Sequence, residues 1–357
     1  MVRASSTWIA ADLATAHPPL VRLAELMDSR EHLATLPTPL HHAPRLSRTL
    51  RREAWLKRDD LTGVGLGGNK IRKMELLAAL ARAEGADTLV SVGAAQSNHA
   101  RTVAMVAAIA KMNCHLILSG DEPAESSPPS GNLLLTDLVG AELHWTGTDS
   151  WDDLAQTAKE VTAALAREGR RVFWIPVGGS VPHGAAAFVA AYLELVGQLA
   201  RAGLNASAVY CSSSSGGTQA GLHLGAVLAR RVLAEELPAG AMPRVVGVDV
   251  AKIYDPLAAS VEQLATDTAE LLGVQEIWQQ ALDDGAAPEV VTGYLGEGYA
   301  IPSTGSQEAL RRLARTEGVI LDPVYTAKGF QAFCEAPGED PIVFWHTGGS
   351  PALFAHP

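Results

Sequence analysis

Lys70 follows four glycines set within six positions, in the run Leu61-Thr-Gly-Val-Gly-Leu-Gly-Gly-Asn-Lys-Ile-Arg-Lys73. Glycines let a backbone bend sharply and come close to a bound group. From there Ile71, Met74, Leu77 and Leu80 recur every three or four positions, which predicts a helix with one buried face ending near Gly85. Lys70 then occupies the first turn, at the positive helix end, beside Arg72 and Lys73. Dipole and neighbouring cations both disfavour a protonated amine. Lys70 is therefore expected to titrate low for a lysine and is a candidate nucleophile for a carbonyl cofactor.

Two further loops carry polar chemistry. Gln96, Ser97, Asn98 and His99 follow an apolar, β-branched run at 88–92 and precede an Ala-rich helical stretch at 103–110. Strand, polar loop and helix form the unit whose loop meets a ligand at the carboxyl end of a parallel sheet. A helix cap needs one such residue, and four in a row exceed that need. The second loop, Ser212-Ser-Ser-Ser-Gly-Gly-Thr218, stands between a strand at 208–211 and a helix at 219–230. Backbone N–H groups and a helix N-terminus there make a phosphate cup. With no magnesium-binding residue beside it, the cup suits the permanent monophosphate of a cofactor. Tyr299 falls in a turn at 296–302, Tyr325 and Thr326 at the start of a helix after 321–324, and Thr347 in the glycine loop that closes a strand at 342–346. Spacing alone does not raise these above packed residues.

Two other motifs compete for the lysine loop. Gly63, Gly65 and Gly68 fit G-x-G-x-x-G, with Asp87 as the acid of a dinucleotide fold. The segment before them, Trp55-Leu-Lys-Arg-Asp-Asp60, is charged at its end and is not the apolar strand that turn requires. A P-loop would place a hydroxyl after the lysine, where this chain has Ile71.

These loops need a scaffold of buried strands joined by helices. At 357 residues the chain is long enough for two domains or one large α/β unit, and 47% hydrophobic with 19% charged residues describes a globular protein. Further strands are read at 115–118, 172–175 and 244–249, an exposed loop at 121–132, a crossing between lobes at 176–180, and one amphipathic helical region at 262–280. A formal charge of −11 without a basic run excludes nucleic-acid binding. Asp12, Glu25 and Asp28 in the first 30 residues are unlike a secretory leader, and no apolar run approaches the roughly 18 residues needed to cross a bilayer. Cys114, Cys211 and Cys334 are scattered and odd in number, so neither a structural zinc nor any other metal is expected, and the location expected is cytoplasmic.

An amine at a helix start, a metal-free phosphate cup and polar loops after parallel strands together describe a site for pyridoxal 5'-phosphate held on a lysine. The chain resembles the fold-type II pyridoxal-phosphate enzymes, and within them the D-cysteine desulfhydrases and 1-aminocyclopropane-1-carboxylate deaminases. The resemblance rests on Lys57-Arg-Asp-Asp-Leu-Thr62, Gly67-Gly-Asn-Lys-Ile-Arg-Lys73, Gln96-Ser-Asn-His-Ala-Arg101, Ser215-Gly-Gly-Thr-Gln-Ala-Gly221, Leu321-Asp-Pro-Val-Tyr-Thr326 and His346-Thr-Gly-Gly349, in the family's order from about residue 35 to the end.

The resemblance implies two open, twisted, mostly parallel sheets flanked by helices, as in the tryptophan synthase β fold. It divides the chain into a large cofactor-binding domain, 1–71 with 181–357, and a small domain, 72–180, assembled as a homodimer. It makes Lys70 the cofactor lysine and proton-transfer base, places Ser215, Gly216, Gly217, Thr218 and Lys73 at the phosphate, and turns Gln96, Ser97 and Asn98 to a small amino-acid substrate, Asn98 also meeting the cofactor ring. Tyr299 and Tyr325 match the active-site tyrosines. The deaminases carry a glutamate after the second tyrosine, facing the ring nitrogen; here Thr326 stands there, as in the desulfhydrases, with Thr347 nearby. That choice implies α,β-elimination from a β-substituted amino acid to a 2-oxo acid, ammonia and a leaving group such as sulfide. Ile71, Ser214, Ala300 and Ala327 depart from the family pattern, so cyclopropane deamination and elimination of another group, such as the sulfonate of cysteate, remain alternatives. A nicotinamide dehydrogenase and a non-catalytic binder of the cofactor are the two other classes. Arg101 is read either as an anion contact or as an ion-pair residue.

Overall fold

The computed structural model describes residues 17–124, 126–298 and 300–355. Its strands are β1 (Leu40–His42), β2 (Ala54–Arg58), β3 (Thr88–Ala94), β4 (Asn113–Ser119), β5 (Glu142–Trp145), β6 (Val172–Ile175), β7 (Ala208–Ser213), β8 (Arg244–Asp249), β9 (Glu289–Val291) and β10 (Ile342–His346). They form one sheet of order β1-β2-β10-β7-β8-β9 and a smaller one of order β5-β4-β3-β6. Every pairing is parallel except that of β1 with β2. The α-helices are α1 (Val21–Asp28), α2 (Pro44–Leu50), α3 (Lys70–Ala83), α4 (Asn98–Ala110), α5 (Gly131–Leu138), α6 (Trp151–Arg167), α7 (Pro182–Ala202), α8 (Gly217–Val232), α9 (Leu257–Leu272), α10 (Gln275–Asp283), α11 (Thr304–Glu317) and α12 (Thr326–Cys334). This is the expected architecture of two mostly parallel sheets flanked by helices.

Helices cover both faces of both sheets, so the central strands are apolar on both sides. Along β7, Val209 and Cys211 enter the core shared with α7 and α8, while Ala208 and Tyr210 turn to the opposite core with Phe330 and Phe333 of α12. On β10, Val343 and Trp345 alternate with Ile342 and Phe344 in the same way. In the smaller sheet, Ile71, Met74 and Leu77 of α3 and Val103 of α4 cover one face, and Leu154, Ala158 and Leu165 of α6 cover the other.

Three readings are corrected. The charged segment 55–60 does enter a strand, because β2 takes its charge inside the protein: Lys57 is fully buried and donates to Glu194 of α7, to Gln198 Oε1 at 2.8 Å and to Thr38 O at 2.7 Å. The helical region at 262–280 is two helices, parted at Gly273, whose φ of 69° ends α9. Finally, α7 is long and apolar enough to cross a membrane by length and composition, although no such run was expected. It is a core helix here, with Phe188, Tyr192 and Val196 buried and Glu194 internally paired.

Candidate active site

A cavity of about 490 Å³ opens where the carboxyl ends of β3, β4, β7 and β8 pass into loops. Lys70, Gln96, Ser97, Asn98, Ser215 and Tyr325, predicted from four separate segments, all line it. Tyr299 lies outside the described residues.

Lys70 begins α3, as the periodicity predicts. Its amine donates to Asn69 Oδ1 at 3.3 Å and stands 5.9 Å from the centre of the Tyr325 ring. Burial, followed by the charge of Arg101, lowers it to about 8. The direction is the expected one, but the cause differs. Arg72 is held by Asp59 and Glu194, away from the amine. Arg101 makes no ion pair among the described residues and does not line the cavity. It is buried, and its guanidinium donates to the carbonyls of Gly65 and Gly67, clamping the glycine loop that leads to Lys70.

The glycines serve close packing of backbone. A Cβ on Gly67, whose φ is 74°, would lie 1.9 Å from Asp60 O. Asp87, the acid of the dinucleotide reading, does not line the cavity and accepts instead from Thr88 Oγ1 at 2.7 Å and from the Arg171 amide at 3.2 Å.

Ser97 caps α4, accepting from the Ala100 amide at 3.2 Å, and lines the cavity as well. Asn98 Oδ1 accepts from Asn132 Nδ2 at 3.1 Å, and Gln96 Oε1 from the Asn132 amide at 2.8 Å. Tyr325 donates its hydroxyl to Ser212 O at 3.2 Å. The buried Thr326 donates to Asp322 Oδ2 at 2.5 Å, and that carboxylate also accepts from the amides of Val324, Tyr325 and Thr326. Ala300 lines the cavity, whereas Ala327 is buried in the core behind it.

Asn69 and Asn132 were passed over in the sequence. Asn69 Nδ2 donates to Thr218 Oγ1 at 3.0 Å and its amide to Thr347 O at 2.9 Å, joining Lys70 to two other loops. Apart from the Lys70 contact, the partners of both are distant in sequence, so local pattern does not reveal these links.

The loop before α8 is built as a cradle. Gly216 has a φ of 77°, and a Cβ on Gly217 would come within 2.5 Å of Ser180 Oγ and 2.6 Å of Lys73 Nζ. Lys73 Nζ donates to Gly178 O at 2.9 Å; burial, and then Lys70, hold it well below the ordinary lysine range. Ser180 Oγ donates to Ser215 Oγ at 2.9 Å and accepts from the Gly217 amide at 3.3 Å. An amine, hydroxyls, a helix N-terminus and no room for a side chain make a place for a phosphate.

Comparison with known proteins decides the family. Residues 32–348 match the pyridoxal-phosphate dependent enzyme family. The chain belongs to it. Among solved structures, an ACC deaminase homologue is 32% identical, with a TM-score of 0.79 over 94% of this chain and 97% of its own. The processed form of threonine deaminase isoform 2 from Solanum lycopersicum is 16% identical, with a TM-score of 0.61 over 93% of this chain and 84% of its own; at that identity the likeness is one of fold. The residues of this enzyme fit the cofactor, since Lys70, with its lowered pKa, lines the same cavity as Ser215, which joins the Gly217 cradle through Ser180. The nicotinamide reading is thereby replaced.

Proposed function

We propose that the enzyme removes a β-substituent from an amino acid, as a D-cysteine desulfhydrase does, giving a 2-oxo acid, ammonia and the leaving group. Thr326 carries this reading. By the resemblance to the deaminases it stands where a carboxylate would face the cofactor ring; it is buried, and its hydroxyl is committed to Asp322, whose oxygens are filled by four donors. A ring nitrogen without a carboxylate is a weaker electron sink, sufficient when the β-group leaves with the electrons.

When bound, pyridoxal phosphate supplies an aldehyde that takes up amines and a ring that accepts electrons. Lys70 would hold it through Nζ, with Lys73, Ser215 and the Gly216, Gly217 and Thr218 amides around its phosphate. Ser97 Oγ and the Asn98 amide bind the substrate carboxylate, with Gln96 beside them. With a pKa near 8, the Lys70 amine can take the α-proton at neutral to mildly alkaline pH. Tyr325 Oη, 3.2 Å from Ser212 O, gives its proton to the departing sulfur; Tyr299 is the second candidate. Water then completes the products, so cysteine yields pyruvate, ammonia and sulfide in equal amounts.

The 32% identity to an ACC deaminase homologue favours one second reading, opening of 1-aminocyclopropane-1-carboxylate. The holoenzyme is assayed for 2-oxo acid with D-cysteine, L-cysteine, cysteate and the cyclopropane, using Lys70→Ala as blank. Release of sulfide and pyruvate in equal amounts supports elimination. Turnover of the cyclopropane alone overturns it.

We also propose a homodimer. Leu66, Ile109, Leu134, Leu138 and Phe354 are exposed on elements that pack against one another, a concentration that favours burial against a second copy. Light scattering that gives twice the chain mass, reduced by Leu138→Asp, is the expected outcome.

A further inference from the structure

The exposed edge of the smaller sheet carries chemistry the cofactor site does not use. In the parallel register of β4 and β5, His115 stands opposite Glu142, and His144 lies two residues further along β5, on the same face. His115 Nδ1 is 3.1 Å from His144 Nε2 and 3.5 Å from Glu142 Oε2, and the ligating atoms of all three lie within 4.8 Å of one another. Ligand atoms held about 2.0–2.2 Å from one tetrahedral zinc are separated by about 3.3 Å, so the side chains are already spaced as a ligand set. His115 is buried and Glu142 exposed, which anchors the group from within and leaves its outer side to solvent.

We propose that His115, Glu142 and His144 form a binding site for a first-row divalent transition-metal ion, Zn²⁺ in the first instance. Two imidazoles and one carboxylate suit zinc, nickel or copper better than magnesium or calcium. Three protein ligands leave a fourth position to water. None of the three lines the active-site cavity, although Ser119 at the carboxyl end of β4 does. Four residues of strand put His115 about 13 Å from Ser119. The ion would therefore act as a staple between β4 and the edge strand β5, outside the elimination chemistry. Sequence reading sought metal ligands among cysteines; this set is brought together only by the β4–β5 register.

Titration of the full-length holoenzyme with Zn²⁺ by calorimetry, and with Co²⁺ by visible absorption, tests the site. One equivalent is expected to bind with micromolar or tighter Kd. His144→Ala and Glu142→Gln should each weaken it at least tenfold and remove the cobalt band, with metal-free turnover unchanged. Affinity should fall as the pH drops, because imidazoles must shed their protons to bind. If no ion binds at millimolar Zn²⁺, the two histidines form only a hydrogen bond and the proposal fails. It fails equally if both variants bind zinc as the parent does. Should His144→Ala not fold, the exposed Glu142→Gln gives the deciding titration.

Discussion

Three cations within four residues of α3 meet opposite fates. Arg72 is ringed by acid: its guanidinium reaches Asp59 Oδ1 at 2.9 Å and Oδ2 at 3.0 Å, and Glu194 at 3.0 and 3.1 Å. Lys57 shares Glu194, and Trp345 Nε1 donates to Asp59 at 2.9 Å. Those partners outweigh burial and raise the pKa of Arg72, while Glu194, favoured by both cations, falls to about 2. On the cavity side, Lys70 and Lys73 are paired with no carboxylate among the described residues, and burial lowers both. One helix turn thus holds both a fixed anchor and two amines that can lose a proton. An arginine suits the first task and lysines the second.

Substitutions at these positions sharpen the contrast. Lys70→Ala has the largest expected effect, roughly a 1,000-fold or greater loss of turnover, because in the proposed mechanism it removes both the cofactor attachment and the base. The measurement is 2-oxo acid release, with borohydride reduction and peptide mass spectrometry of the parent placing the cofactor on Lys70. Arg72→Met leaves Asp59 buried without a cation and Glu194 with Lys57 alone. It is expected to lower stability by about 3–5 kcal/mol in urea denaturation. An unchanged midpoint would mean that the network is not the anchor. Lys73→Met leaves the fold standing but is expected to weaken pyridoxal phosphate binding by about 10- to 100-fold in an absorbance titration, because in the proposed site the phosphate dianion would draw a proton back onto this amine and the contact would be lost.

The contrast was only half legible in the sequence. Local pattern carried the sheets: apolar β-branched runs became β3, β7, β8 and β10, and the polar loops after β3 and β7 were recognisable as ligand-facing turns. Lys70 was legible because its loop and helix are contiguous. Lys57 was misread because its acid lies 137 residues away, on a mostly apolar helix. β1 and β9 are three-residue edge strands, too short for a period to register. The low pKa of Lys70 was read from the helix dipole and its sequence neighbours Arg72 and Lys73, whereas burial comes first and the cation that acts on it is Arg101, brought in by tertiary packing. Short-range order announces which loops face a ligand; it does not say how each charge is paired.

Arg101 offers the smallest effect and the finest test of why Lys70 differs from Arg72. Lys70 takes up a carbonyl only as the neutral amine, so cofactor capture by the apoenzyme should rise with pH and level off above about 8. A neighbouring cation disfavours the protonated amine, and removing that cation raises the pKa. Arg101→Gln should therefore move the midpoint of the capture profile upward and slow capture several-fold at pH 7, with less change at pH 10. The same substitution frees the carbonyls of Gly65 and Gly67, so charge and clamp must be separated. Arg101→Lys keeps the charge but loses the two-pronged donor, and should retain the midpoint near that of the parent while binding the cofactor less tightly. If both variants keep the parental midpoint, burial alone sets the amine's pKa. The pairing that distinguishes Arg72 would then be the whole difference between the two sides of the helix.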